Sequence, residues 1–195
     1  MKQRCINFVT SNAAKATMLG QLLEPFGFEV LQLDTSLIEP QANTVEAVAI
    51  NKAEQALKLA QTAVVVEDSG FYIDELSGFP SAYTRYALET IGVGGLLRLA
   101  QGLTTRSCRF VSTMVYMTPD GTAQVFNDAR GAGVLAQSVD ETPCPEAWSD
   151  LWRIVIPDGQ DKPLTALTAD ERKQVIKQWQ AQSVYGQFAN WLSTQ

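Results

Sequence analysis

The sequence predicts an α/β fold built on a mixed sheet with helices along its flanks. Three observations lead there. Apolar runs of strand length alternate with segments whose apolar residues recur at helical spacing. One run, "TAVVVED", is continuously apolar, as strands buried on both faces are. And "CRFVSTMVYMTPDGTAQVFND" carries Pro119-Asp120-Gly121 between two strand-like halves, which places a hairpin inside a βα pattern and makes the sheet mixed.

In chain order, Cys5 to Val9 is a short strand followed by a polar turn. "KATMLGQLLEPF" puts apolar residues at 18, 19, 22, 23 and 26, one helix face, and Pro25 and Gly27 close it. "FEVLQLD" is a second strand. After a polar segment, Asn43 with Glu46 three residues on is expected to cap a helix carrying Val45, Val48, Ala49, Lys52, Ala53, Ala56 and Ala60. "TAVVVED" then ends in Glu67 and Asp68, and Ser69-Gly70 are expected to form the turn after it. "ETIGVGGLLRLAQG" is a glycine-rich approach to a short helix, and the hairpin follows. "GVLAQ" is expected to be a further strand, "ETPCPE" a loop, and "LWRIVIPDG" a strand closed by a turn. A C-terminal helix is expected from "LTADERKQVIKQWQAQSVYGQFANWL", with Thr168 and Glu171 as its capping box. No repeat, linker or low-complexity tract interrupts residues 1–195, which are expected to form a single domain.

Composition narrows the function. Apolar residues are 46% of the 195 and charged residues 18%, enough to build a core and too few charges for a disordered chain. The net charge is −6 with no basic stripe, which argues against nucleic acid as a partner. The apolar runs are too short to cross a bilayer, and "MKQRCINFVTSN" lacks the apolar stretch of a secretory signal. Cys5, Cys108 and Cys144, odd in number and widely spaced, fit reduced thiols in a cytoplasmic protein. The absence of histidine removes Ser-His, Cys-His and His-metal chemistry, so a metal would need oxygen ligands, which points to Mg²⁺ or Mn²⁺.

Three stretches carry chemistry. In "TSNAAK", Thr10, Ser11 and Asn12 make a strand-to-helix turn with backbone N–H groups available, and Lys15 places a cation in the first helical turn, where one is normally disfavoured. Either an anion such as a phosphate rests on the turn, or this is an ordinary cap with a solvated lysine. Glu67-Asp68-Ser69-Gly70 places two carboxylates at the end of a buried strand. They either hold a hard divalent cation and orient a water, or they are an acidic strand end before a turn. Glu39 precedes a helix that shows Lys52 among Val and Ala, where the lysine either snorkels to water or reaches a phosphate. Together these are the parts of a site for a metal-bound polyphosphate, with Lys15 and Lys52 facing Glu39 and Asp68 across one hollow. No Walker pattern is present.

In order along most of the chain, these and other motifs resemble the Ham1/ITPase family of pyrophosphatases that act on non-standard purine nucleoside triphosphates. "VTSNAAK" is similar to that family's (S/T)-x-N-x-x-K opening, and "IEPQANTVEAVAINKAEQA" to its Glu-x-Gln segment and the helix ending in Lys-Ala. "VVVEDSGFYIDELSGFPSAYTRYALETIG" resembles its most diagnostic block. "RSCRF", "IVIPDGQDKPLTAL" and "FANWL" also fit. The resemblance implies an elongated mixed sheet with helices in two lobes about a central cleft, commonly a homodimer. It implies hydrolysis of a nucleoside triphosphate to the monophosphate and pyrophosphate with Mg²⁺, Mn²⁺ being a possible substitute. Asn12 and Lys15 would bind phosphates, assisted by Lys52. Glu39, Glu67 and Asp68 would hold the metal and position water, with Asp68 as base. Ser69 and Gly70 would shape the turn against the phosphates.

The resemblance fails in the base-reading half. Where the family has Gly-Phe-Gly-Tyr/Phe-Asp-Pro, this chain reads "EAWSDLWR", with Trp152 at the aspartate and Arg153 at the proline. The family's Ser-His-Arg is absent, "KQWQAQS" standing in its region, and Met18 replaces a helix-one glutamate. A base preference other than inosine or xanthosine is therefore expected. Trp148, Trp152 and Trp179 either give a stacking surface for a different base or another aromatic group or fill the pocket or the core, and Arg153 either pairs with a carboxylate or phosphate or is a surface charge. A nucleotide-binding relative without catalysis, or a hydrolase of another phosphoanhydride, are the alternatives.

Overall fold

The computed structural model describes residues 4–181 and 183–195. Seven strands form one mixed sheet in the order β2-β1-β3-β5-β6-β7, with β4 paired to β3. They are β1 Arg4–Val9, β2 Phe28–Leu33, β3 Val64–Ile73, β4 Pro80–Ser81, β5 Ser107–Met117, β6 Ala123–Leu135 and β7 Val155–Pro157. Strand β1 runs parallel to β2 and β3, whereas β3–β4 and β6–β7 are antiparallel. The residues group into two compact units.

The first unit comprises Met1–Ser69, Ser112–Asp128 and Gln182–Gln195. Helix α1, Ala13–Leu23, begins where Asn12 accepts from the Ala14 and Lys15 amides. It passes into a 3₁₀ turn at Glu24–Phe26, and Gly27 at φ 78° ends it, a conformation that glycine adopts without steric cost. Helix α2, Val45–Ala60, is capped by Thr44, whose hydroxyl accepts from the Ala47 amide at 3.1 Å. The cap thus lies one residue beyond the expected Asn43. Its buried face is built largely of small residues, with Ala49 and Ala53 fully enclosed, so the helix backbone sits close to the sheet. Alternation along the strands sorts the core. Phe8 and Val65 face α1 and α6 (Val184–Leu192), whereas Val9, Val64 and Val66 face α2.

The second unit comprises Gly70–Val111 and Ala129–Ala181. It holds α3 Thr84–Thr90, α4 Gly92–Leu99 and α5 Ala169–Ala181, with 3₁₀ turns at Asp150–Arg153 and Leu164–Ala166. Its core centres on Phe71, Ile73, Leu96, Leu151 and Trp152. The expected strand at "GVLAQ" is instead the end of the 13-residue β6. Gly133 there faces Pro157 of β7, and a Cβ would strike the Ile156 carbonyl oxygen, so a side chain would exclude β7.

Two further expectations are corrected. Strand β3 does not turn at Ser69-Gly70 but continues to Ile73, because Phe71 and Ile73 have a core of their own to enter. The C-terminal segment is two helices. Ser183, extended at φ −72° and ψ 157°, caps α6 through its hydroxyl and so ends any continuous helix. The Thr168–Glu171 capping box is present, each residue's side chain accepting from the other's amide at 2.8 and 3.3 Å, as is the hairpin turn at Pro119-Asp120-Gly121. No helix among the described residues is long and apolar enough to cross a membrane. Cys5, Cys108 and Cys144 are free thiols, and burial pushes Cys108 up to about 12.

Arg106 of the "RSCRF" segment ties the second unit together. Its guanidinium donates to the carbonyls of Ala136, Ala100 and Leu135 at 2.6, 2.7 and 2.9 Å. Arg106→Met leaves these acceptors without their charged donor and is expected to cost about 3 kcal/mol in urea unfolding. A loss below about 1 kcal/mol would mean water replaces the guanidinium.

Candidate active site

The site grows from the end of the parallel ladder. Phe8 pairs with Val65, and β1 stops at Val9, so Glu67 and Asp68 emerge where β3 loses its parallel neighbour. This is the carboxyl end of β1, where open α/β sheets place ligands. Glu67 shares the parity of Val65 and points toward the α1 side. Asp68 shares that of Val64 and Val66 and points toward α2.

Each carboxylate meets its own lysine. Lys15 of α1 forms an ion pair with Glu67, whose side chain is only 1% exposed. Lys52 of α2 donates to Asp68 at 3.1 Å and to Glu39 at 3.3 Å. The anion that justifies Lys15 in the first turn of α1 is thus supplied by the chain itself. Asn12 is equally committed. Its Oδ1 accepts from the Ala14 and Lys15 amides at 3.0 and 3.2 Å, and its own amide donates to Thr10 Oγ1 at 3.1 Å. The amides of Asn12, Ala14 and Lys15, expected to be available in the turn, are therefore engaged, and the Asn12 carboxamide nitrogen remains a donor. Gln32 of β2, unmarked in the sequence, donates to the Thr10 carbonyl at 2.9 Å and fixes the turn from β2. Its place on an adjacent parallel strand is visible only in the register.

Burial and charge shape the titration of the inner pair. Burial raises the pKa of Asp68 above 3.8, Lys52 opposes this, and Glu67 and Glu39 add to the rise. Burial alone would lower Lys52, but Asp68 and Glu39 together outweigh it, so Lys52 is raised above 10.5. With three carboxylates to two ammonium groups, the cluster retains one negative charge.

Lys52, Glu39 and Asp68 converge as expected. Lys15 joins Glu67 on the other face of β3 instead of sharing one hollow with them. Glu39, Glu67 and Asp68 do not form a ready cage either: among the described residues no group of three or more such ligands converges. Strand alternation separates Glu67 from Asp68. The donor set that fits a hard cation is Asp68 with Glu39, both within reach of one ammonium group, since Mg²⁺ needs only one or two carboxylates when phosphate and water complete its shell. Ser69 is exposed and Gly70 buried, both inside β3 and not in a turn.

The tryptophans separate in the second unit. Trp152 is 1% exposed and belongs to the core, so the expected stacking role does not hold for it, and its Nε1 has no hydrogen-bond partner among the described residues. Trp179 packs on Phe110 at 5.9 Å. Trp148 is 64% exposed, its ring edge-on to Phe110 and Trp152 at 5.6 and 5.7 Å. It lines an open depression of about 670 Å³ together with Thr142, Cys144, Ser149, Asp150 and Thr165. Arg153, also on its wall, is engaged by Glu141 and by the Asp140 carbonyl at 3.1 Å.

A family model described as the Ham1 family matches residues 6–182. The chain belongs to the Ham1 family. This Ham1-family chain is 34% identical over 185 residues to the dITP/XTP pyrophosphatase of Thermococcus kodakarensis, covering 95% of each. It is 31% identical to the dITP/XTP pyrophosphatase of Methanopyrus kandleri over 94% of each. Among solved structures it is similar to the Ham1 protein of Staphylococcus aureus, with a TM-score of 0.79 at 21% identity, covering 98% of this chain and 99% of that one. A nucleoside-triphosphatase / dITP/XTP pyrophosphatase of Mycobacterium abscessus superposes with a TM-score of 0.76 at 22% identity, over 91% and 95%. These two likenesses concern the fold.

Lys15→Met strands a buried carboxylate and is expected to cost about 2–3 kcal/mol, less than a fully enclosed pair because Lys15 is 31% exposed. Adding Glu67→Gln should return most of that loss. A double variant no more stable than the single would refute the pairing. For Asp68 the folded pKa is raised, so its contribution favours the folded state below 3.8 and declines as pH rises through the raised value. Asp68→Asn is expected to raise the urea midpoint at pH 7, with the gap closing as pH falls toward 3.8. A lower midpoint at pH 7 would show that Lys52 outweighs burial.

Proposed function

We propose that this chain is a nucleoside triphosphate pyrophosphatase that takes up one water and releases a nucleoside monophosphate and pyrophosphate, with Mg²⁺ as cofactor and Mn²⁺ as a substitute. The observation that carries the reading is the Lys52–Asp68–Glu39 triangle at the end of the parallel ladder, with the Asn12–Lys15 turn at the start of α1. Relatives named dITP/XTP pyrophosphatase over nearly their full length support the reaction class.

Lys52 here acts as an exchangeable counter-ion. In the resting chain Lys52 neutralises Asp68 and Glu39. An arriving polyphosphate competes for that ammonium group, and the two carboxylates then become available to a divalent cation. Bound there, the cation would draw charge from the phosphate oxygens and lower the pKa of water. Asp68, whose pKa burial already raises, is suited to accept the proton of the attacking water. Glu67 holds Lys15 at the phosphate turn. In this reading Glu67 positions a lysine and is not a metal ligand.

The base preference is proposed to lie outside the inosine and xanthosine pair. Support comes from the absence of histidine and from "EAWSDLWR" in place of the family's base-reading loop. Trp148 is largely exposed, and Arg153 is already consumed by its own loop. Hydrogen-bonding pockets reject analogues about 10⁴-fold or more, and the groups that would do so for a 6-keto base are missing.

A panel of the common NTPs and dNTPs with ITP, dITP and XTP, assayed for pyrophosphate with Mg²⁺ and with EDTA, tests both parts. At least one common nucleotide should match ITP and XTP in kcat/KM, and EDTA should abolish turnover. A preference of about 10⁴ for ITP or XTP would overturn the base assignment. No turnover of any nucleotide, or release of orthophosphate, would overturn the reaction.

A further inference from the structure

We propose that Gln55 is a positioning residue for Glu39, acting through the backbone of Ile38; its catalytic consequence rests on the function proposed above. Glu39 lies in the segment between β2 and α2, which joins no strand ladder. Ile38 cannot anchor it by burial, since it is 77% exposed. The anchor is the Gln55 carboxamide. Its Oε1 accepts from the Ile38 amide at 2.9 Å, and its Nε2 donates to the Ile38 carbonyl at 2.7 Å. One side chain thereby satisfies both backbone groups of the residue before Glu39, as a neighbouring strand would. The second Nε2 hydrogen goes to Asn51 Oδ1 at 2.7 Å, which fixes the amide's orientation: a flipped carboxamide would set an N–H against the Ile38 N–H.

Position on α2 gives this clamp its meaning. Gln55 follows Lys52 by three residues, so the two share a helix face. Lys52 holds the Glu39 carboxylate and Gln55 the backbone beside it. When a phosphate takes Lys52, the ion pair to Glu39 is lost, and the Gln55 bridge remains to keep that carboxylate beside Asp68. Only a side chain with a donor and an acceptor in one plane serves. Leucine offers neither, and a glutamate would set an anion against the Ile38 carbonyl.

Amide hydrogen exchange tests the clamp without reference to turnover. The Ile38 amide should be protected in the parent chain and exchange on the order of tenfold faster or more in Gln55→Leu, with α2 amides beyond the first turn unchanged. A double-mutant cycle tests the consequence. Gln55→Leu should lower kcat/KM by roughly tenfold, and in a Glu39→Gln background it should have almost no further effect. Gln55→Glu should fail to rescue. Unchanged Ile38 exchange, or losses that multiply in the cycle, would overturn the proposal. If no nucleotide is turned over, the exchange measurement alone decides the clamp, and only the reading of function fails.

Discussion

The site depends on the twofold alternation of β3. Adjacent residues on a strand face opposite sides, so Glu67 and Asp68 point to different faces of β3 although they are neighbours in sequence. Each is delivered to a different helix layer and meets a lysine placed there by an independent helix start. Lys15 arrives because Asn12 begins α1 just before it, and Lys52 because the alanine face of α2 brings that helix close to the strand. The cluster is thus two separate neutralisations made on opposite faces of one backbone.

That division sets different roles for the two halves. Glu67, almost wholly enclosed, needs its lysine simply to be tolerated as an ion, and the pair is a fixed structural feature. Asp68 and Glu39 share one lysine between two anions, and burial, with the neighbouring carboxylates adding to it, raises the Asp68 pKa. An anionic imbalance held at a strand end is unfavourable for the fold and suited to a ligand that brings positive charge to the carboxylates and negative charge to the lysine. A metal-bound polyphosphate does both.

In the second unit the segment "EAWSDLWR" is divided between core and surface. Trp152 stands where the family has an aspartate and is absorbed into the hydrophobic cluster. Arg153 spends its donors on the acidic loop beside it. Trp148 remains as an exposed ring on an open depression.

The sequence by itself determined the element types and most of the site's membership. Periodicity marked α1, α2 and the buried strand, Pro119-Asp120-Gly121 marked the hairpin, and Thr10–Lys15, Glu39, Lys52 and Glu67–Asp68 were all identifiable by residue type and order. Only the tertiary structure decided which charge met which. Pairing follows from which face of β3 each helix covers, and no local signal encodes that. The same cause explains the other differences. β3 runs past Ser69-Gly70 because a second core awaits Phe71 and Ile73, Trp152 is buried because it joins that same core, and Gln55 acquires meaning only when residue 38 is brought beside it from 17 positions away. Local chemistry fixes what a segment can form, and the long-range packing of apolar faces fixes where its charges end up.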